Sequence, residues 1–507
     1  MPFLLRCTAL AFSLFGLALG TFAQAPVKPA DSTPDRPLSQ SPLVIKNAVM
    51  GKDGKPIDGV KLSQHDFEIH SPSICVAPNG QIHVTYVEKH RTTYALAVYH
   101  RSSSDKGATW TDAKNLSEEM PDIQTGYGVV LADGKDRVYA IWRAGTSVNA
   151  PANPYPSNTY HCDLVYRVLE NGKWSRILPV HPPTSKDLKY DGSLAYFAVV
   201  DPQGRVQVIW NTTPGKWHPE LTVVSGTYVQ HLPGVGNGLV FQATLDGRTA
   251  SAPREIFLTE VGGLGEGGGY GTHCDGLDTL NGYIDAQGDA HFAARVTRTR
   301  DFSLQGKSRF QLFERGKAGP FIDFPDLSYH LWASFPRLLV DAEGRSHLVM
   351  LYPKGERPSI RDYLIGSDEE PDVIRQTASE KGTVDSFQAF QGPGGRMIAV
   401  FQMNDTGEKG DGNTFVSIST GKGWSEPVNV TNNQGRKAFA STQTSRASHI
   451  AVATSYYPGP AAATVDHEGH LLLVMINNEY GLFSSGAFGV TLVGGSSSTP
   501  KLQFLRL

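Results

Sequence analysis

The stretch FAVVDPQGRVQVIW, Phe197 to Trp210, is an apolar strand, a turn built on Gly204 and a second apolar strand. Six more copies of this pattern lie along the chain. Before it come ICVAPNGQIHVTYV (Ile74 to Val87) and VVLADGKDRVYAIW (Val129 to Trp142). After it come GYIDAQGDAHFAAR (Gly282 to Arg295), RLLVDAEGRSHLVML (Arg337 to Leu351), FQAFQGPGGRMIAVF (Phe387 to Phe401) and ATVDHEGHLLLVMI (Ala463 to Ile476). The turn glycines are Gly80, Gly134, Gly204, Gly288, Gly344, Gly395 and Gly469, at spacings of 54, 70, 84, 56, 51 and 74 residues. Each interval has room for four strands and variable loops. Strand-only repeats of this size mark a β-propeller, in which each copy is one radial sheet. The fold class is therefore all-β, and seven copies predict seven blades. Six and eight blades stay open, because the 84-residue interval has room for another hairpin.

Bulk properties narrow the function. The 507 residues carry a net charge of −3 with no basic run, which argues against a partner held through its phosphates. Abundant Gly and Pro (53 and 32) suit many tight turns. Arg6, the apolar Ala9 to Leu19 and the small residues that follow read as a secretory signal over residues 1–23, cleaved after Ala23. Residues 24–41, rich in Pro, Ser and Asp, read as a flexible leader, and residues 42–507 as a single propeller domain. The expected product is a secreted monomer, periplasmic or extracellular, with no stable membrane insertion after cleavage. Three cysteines then remain, Cys75, Cys162 and Cys274, and an odd number makes no complete disulfide framework.

In the first copy a third strand (Tyr94 to His100) leads into Ser103-Ser104-Asp105-Lys106-Gly107-Ala108-Thr109-Trp110. This octet is similar to the Asp box, Ser-x-Asp-x-Gly-x-Thr-Trp, of sialidase-type (BNR) propellers. Degenerate copies stand at Glu170 to Ser175, Thr420 to Ser425 and Leu245 to Arg248. The whole chain after the leader thus resembles the sialidase-like superfamily. The strand near Pro42 to Val49 is expected to complete the last blade, beside Phe488 to Val493 and Lys501 to Leu507.

Glycine turns and Asp boxes belong at one end of such a propeller, so a ligand belongs at the other. The residues flanking the inner two strands there are rich in aromatics, His and Arg. They include Glu88, His90, Tyr127 and Arg143, then Tyr190, Asp191, Tyr196 and Trp217. His273, Asp278, Arg295, Trp332, Tyr352, Asp385 and Arg446 follow. Aromatic platforms with Arg forks and carboxylates suit an acidic polysaccharide or oligosaccharide.

Two reactions fit the resemblance. A sialidase-type hydrolase implies an arginine cluster for a carboxylate, here Arg143, Arg295 and Arg446, with Asp66 or Asp191 as acid. The Arg-Ile-Pro motif of true sialidases is absent, and those enzymes have six blades. Seven-bladed lyases of the ulvan-degrading kind are similar in layout. Their key His falls at the place of His90, followed here by Tyr99-His100-Arg101-Ser102. A lyase neutralises the carboxylate and moves protons with His or Tyr, for which His90, Tyr190 and His273 are candidates. A non-catalytic glycan- or protein-binding propeller is the alternative. No cofactor is expected. The pairs His161-Cys162 and His273-Cys274 raise a structural zinc or calcium, but neighbours on a strand face opposite ways and no zinc-type spacing occurs.

Overall fold

A strand buried on both faces reads as a continuous apolar run, and Val138 to Trp142 is such a run, with no residue more than 1% exposed. Tyr139 and Ile141 pack against Val206, Val208 and Trp210 on one side. Ala140 and Trp142 pack against Val87, Val98 and Leu116 on the other. A sheet covered twice needs a sheet on each side, and that requirement repeated around an axis gives the architecture.

The computed structural model describes residues 60–61, 68–89, 96–118, 124–147, 160–180, 193–212, 221–224, 227–230, 237–260, 276–297, 308–315, 317–324, 337–352, 357–391, 395–405, 412–419, 423–429, 461–477 and 501–506. Among these it contains 32 strands and no α-helix. The strands form five four-stranded sheets, two five-stranded sheets and one two-stranded hairpin, with every pairing antiparallel. The sheets are numbered here by their first strands: Glu68–Val76, Gln124–Ala132, Ser193–Val200, Gly276–Ile284, Arg337–Val340, Thr383–Gln391 and Ala461–Val465. Each first strand packs against the first strand of the next sheet, and Ala461–Val465 returns to Glu68–Val76. Later strands run outward from these inner ones, so the chain is a β-propeller.

The hairpin, Leu221–Val224 paired with Thr227–Gln230, fills the longest interval between turn glycines and joins no other sheet. Sheet seven draws on both ends of the chain: Ala461–Val465, Leu471–Asn477, Lys501–Arg506 and then Val60–Lys61. The N-terminal segment described in this sheet is Val60–Lys61, with Val60 opposite Phe504. Residues 42–49 and 488–493 lie outside the described residues, as do 1–23 and 24–41.

Every inner hairpin turns through a left-handed residue: Gly80, Gly204, Gly288, Gly344, Gly395 and Gly469 (φ between 73° and 87°), but Asp136 (φ 61°) in sheet two. Gly134 is therefore not the turn residue of its copy. It stands two places earlier because the Gly204 turn crosses it, with its N–H donating to the Gly204 carbonyl (2.8 Å). A Cβ on Gly204 would lie 3.1 Å from the Gly134 Cα.

Three residues before the left-handed position, five sheets place an aspartate: Asp133, Asp201, Asp285, Asp341 and Asp466. In Asp201, Oδ1 accepts from the Gln203 and Arg205 N–H groups (3.0 and 2.8 Å), while Oδ2 accepts from Arg205 Nε and Gln207 Nε2 (both 2.8 Å). The other four repeat the two backbone bonds at 2.8–3.0 Å. Burial alone raises the Asp341 pKa, yet the Arg345 N–H and guanidinium and His347 outweigh it and hold the carboxyl at about 2.

The third-to-fourth strand turn of sheet one is tied from within. Asp105 Oδ1 accepts from Thr109 N–H (2.8 Å) and Oδ2 from its hydroxyl (2.5 Å), while Ser103 Oγ accepts from Gly107 N–H (2.8 Å). These bonds, led by the Thr109 hydroxyl, lower the Asp105 pKa to about 2. Trp110 packs edge-on against Phe504 of sheet seven at 5.0 Å. A carboxylate so occupied has a structural role in closing this turn.

Two predictions follow from this packing. A Cβ on Gly282 of the inner strand would lie 1.9 Å from the His291 carbonyl oxygen. Gly282→Ala should destabilise the protein by more than about 3 kcal/mol, seen as a lowered melting temperature. The second concerns buried imidazoles. His83 Nδ1 lies 3.1 Å from His100 Nε2, and both rings are buried. Burial lowers His83 to about 4, and burial with His83 and Lys114 drives His100 well below the ordinary value. The unfolded chain then takes up these protons first, so stability falls as pH drops below about 6.5, by up to about 1.4 kcal/mol per pH unit for each ring. His347 acts oppositely. Burial lowers its pKa, but hydrogen bonds and charge from Asp362 and Asp341 raise it overall, so its contribution is present in acid and lost as pH rises through the raised value. Melting temperatures between pH 7.5 and 4.5 should therefore fall, and fall less steeply in His100→Phe; equal slopes would exclude the pair as the cause.

Candidate functional site

Connections between successive antiparallel strands alternate ends, so the glycine turns and the third-to-fourth turns share one end of the propeller. At the other end, five inner strands carry one extra residue relative to their partners. The register breaks lie between His70 and Ser73, Gly126 and Val129, Ser193 and Tyr196, Leu277 and Thr279, and Val384 and Ser386. Within these breaks fall Tyr127, Asp278 and Asp385, three of the residues assigned to the ligand end from sequence. A bulge bends its strand and re-aims a side chain away from the regular alternation.

Beside two of these bulges stands an arginine. Arg143, on the second strand of sheet two (Val138–Ser147), pairs with Gly126 at the edge of the break. Arg295, on the second strand of sheet four (Ala290–Thr297), pairs with Thr279 at the edge of its own. Both lie seven residues past the left-handed turn residue, Asp136 and Gly288 respectively. The Arg143 side chain is buried, at 6% exposure. Next to it Tyr196 donates its hydroxyl to the Ile141 carbonyl (3.2 Å), tying sheet three to sheet two. Burial raises the Tyr196 pKa and the Arg143 charge opposes the rise, so the phenol stays protonated beside a cation.

A carboxylate lies one sheet away. Glu88, near the end of Ile82–Lys89, is 1% exposed and faces Ile69 and Ala97 across the ladder. Burial first and the Glu88 charge second raise the pKa of Tyr99, and both also act on Tyr86, which stacks on Tyr99 at 5.8 Å. In sheet five the Arg361 guanidinium lies 4.1 Å from the ring centre of Tyr352. The described part of this end therefore combines a buried arginine, a buried glutamate and phenols held protonated.

Of the residues proposed from sequence, Arg143 is described with its side chain and Arg295 by its backbone. His90, Tyr190, Asp191, Trp217, His273, Trp332 and Arg446 lie outside the described residues. Arg337, which opens the inner strand of sheet five, was passed over because Arg-Leu-Leu-Val reads as an ordinary strand start.

Among the described residues one group could bring three metal ligands together, Asp466, Glu468 and His470, with ligand atoms within 4.8 Å. A guanidinium already sits there: Arg506 Nη2 is 3.0 Å from Asp466, 2.8 Å from Glu468 and 2.7 Å from His470 Nδ1. The group is an ion-pair knot at the glycine-turn end. His161 and Cys162 lie on Tyr160–Glu170, opposite Thr146 and Gly145. Cys75 is a buried free thiol.

No protein-family model matches the sequence, and no curated protein sequence matches it. Among solved structures, the chain is similar to an α-L-arabinanase of Penicillium chrysogenum complexed with arabinobiose (11% identity over 74% of this chain and 99% of that one, TM-score 0.42). It is also similar to an ulvan lyase (12%, 71% and 80%, TM-score 0.42) and to the NanB sialidase of Streptococcus pneumoniae (10%, 89% and 71%, TM-score 0.38). At such scores none of these likenesses bears on what this chain does.

Tyr196→Phe, which deletes the hydroxyl bonded to the Ile141 carbonyl, should cost about 1 kcal/mol in chemical denaturation.

Proposed function

We propose that the chain is a secreted, seven-bladed propeller that processes an acidic glycan at its bulged end. The reading rests chiefly on one observation: Arg143 and Arg295 recur at the same repeat position, each paired beside a bulge. A guanidinium suits the carboxylate of an acidic sugar through two parallel hydrogen bonds. Bulged strands supply the irregular backbone on which binding groups are aimed. The blade count is supported by the circuit of first-strand contacts through the seven sheets. Secretion is supported by the charge, apolar stretch and small residues of 1–23.

In this reading Arg143, Arg295 and Arg446 hold the carboxylate, and Trp217 and Trp332 stack on sugar rings. His90, Tyr190, Asp191 and His273 move protons. The reaction takes one of two courses. In β-elimination a base removes the proton beside the carboxylate, a carbon–carbon double bond forms, and the glycosidic C–O bond breaks with proton transfer to the leaving oxygen. In hydrolysis a carboxyl acid protonates that oxygen and water supplies the new bond.

The deciding experiment incubates purified protein with a panel of uronate polymers, following ultraviolet absorbance and reducing ends together. An absorbance rise identifies elimination; reducing ends without it identify hydrolysis. His90→Ala and Arg295→Met should each lower kcat/KM at least about a hundredfold. Silence in both channels with glycan binding retained would replace catalysis by a binding role, with affinity spread over the aromatics.

A further inference from the structure

At the bulged end the chain makes two connections per sheet: from the second strand to the third, and from the outermost strand to the first strand of the next sheet. Their lengths follow from the strand bounds and form a pattern round the ring. Around sheet one they are short: 6 residues at 62–67, 6 at 90–95 and 8 at 116–123. Through sheets two, three and four they are long: 12, 13, 24, 15, 10 and 12 residues, ending with 325–336. Around sheets five and six they shorten again, to 6 at 353–358, 6 at 377–382 and 7 at 405–411. The last two, 430–460 and 478–500, have 31 and 23 residues. Out and back, six residues rise at most about 10 Å above the strand ends, whereas 24 can rise about 40 Å. The rim is therefore low at two places and has chain to spare between them.

The second low place is tied down by its own backbone. Thr377 N–H donates to the Pro358 carbonyl (2.9 Å) and Ser379 N–H to the Asp405 carbonyl (3.1 Å), so each connection holds the next. Ser379 Oγ also donates to the Asp405 carbonyl (3.2 Å), and Gly382 N–H to the Ser379 carbonyl (3.0 Å). Arg375 binds the Asp405 carboxylate (2.5 Å) and lies 4.0 Å from the ring centre of Phe415 in sheet six. These bonds make a short sill shared by two sheets, with Ala378, Glu380 and Lys381 exposed along it. Beside it Tyr352 ends the second strand of sheet five, its ring held by the Arg361 guanidinium. The long side differs in kind. Connection 213–236 of sheet three contains the hairpin Leu221–Val224 with Thr227–Gln230, which pairs with no sheet. Connections of such length in a compact domain commonly serve binding.

We propose that the bulged end is an open-ended cleft that takes an interior stretch of a linear acidic polysaccharide, the polymer crossing from sheet one to the sill between sheets five and six; in placing a glycan at this end, the proposal rests on the function proposed above. A pocket for the terminus of a polymer needs a rim closed all round, and two low places leave this rim open twice. The openings are unequally spaced, with sheet seven between them on one side and sheets two to four on the other, so the polymer bends round sheet seven. A polymer held in this way is engaged away from its ends.

The test uses the full chain with a uronate disaccharide, a uronate dodecasaccharide, and the same dodecasaccharide carrying a bulky fluorophore at each end. Calorimetry should give the free and the end-blocked dodecasaccharide affinities within about twofold of each other, because neither terminus enters the site. Ala378→Trp and Glu380→Trp each set a large ring on an exposed position of the sill. Both should weaken the two dodecasaccharides at least about tenfold, with the disaccharide affinity and the melting temperature unchanged. If end-blocking costs tenfold or more while the free dodecasaccharide binds, the site is a blind pocket; the proposal is overturned and the glycan reading stands. If the end-blocked dodecasaccharide binds and neither sill variant weakens it, the crossing over sheets five and six is overturned, again with the glycan reading intact. If wild type neither binds nor cleaves any of the three saccharides, the glycan reading fails and the cleft falls with it.

Discussion

Each inner hairpin with an aspartate three residues before its turn closes on that carboxylate. One oxygen takes two backbone N–H groups, and the other takes a later side chain, Arg205 and Gln207 for Asp201 and Arg506 of the third strand for Asp466. The carboxylates of Asp133, Asp201 and Asp341 are nearly out of contact with water, so the donors they satisfy would otherwise be left with no partner. This fixes the two inner strands of a sheet in register from one end. Any extra residue must then be absorbed at the other end, and that is where the five register breaks occur.

Sheet one shows the same constraint met by other means. Ala77 stands where the aspartate is missing, and the neighbours supply what it lacks. Asn79 N–H donates to Asp136 of sheet two (2.7 Å), and His467 Nε2 of sheet seven lies 2.9 Å from the Ala77 carbonyl. Charges at this face are matched in the same local way: Lys106 of sheet one's outer turn pairs with Glu468 of sheet seven, and Arg506 pairs with Glu468 within sheet seven. At the bulged end Arg143 and Glu88 are buried charges drawn from different sheets, and their neighbours include phenols instead of backbone turns.

The propeller was legible because burial on both faces writes the inner strands as apolar runs, and a turn between two such runs demands special residues. Gly134 misled for a physical reason: glycine also serves where two backbones meet, and aspartate tolerates the left-handed conformation well enough for Asp136 to take the turn. Val60–Lys61 was invisible because two residues carry no pattern, and its place depends on the far end of the chain. The bulges left no trace either, since one inserted residue beside a variable loop breaks no period. Residue type alone nominated Arg143 and Arg295 for the ligand end.

The composition of sheet seven sets the order in which the molecule can be completed. Val60–Lys61 must wait for Lys501–Arg506, far along the chain, before its backbone finds this partner. Until then the outer edge of Lys501–Arg506 has no partner from this segment and is a template for another chain. Contacts this distant in sequence form slowly and keep such edges available for aggregation. Sheet seven therefore gains its last pairing only when two segments far apart in sequence meet, although the circuit of first strands closes without it.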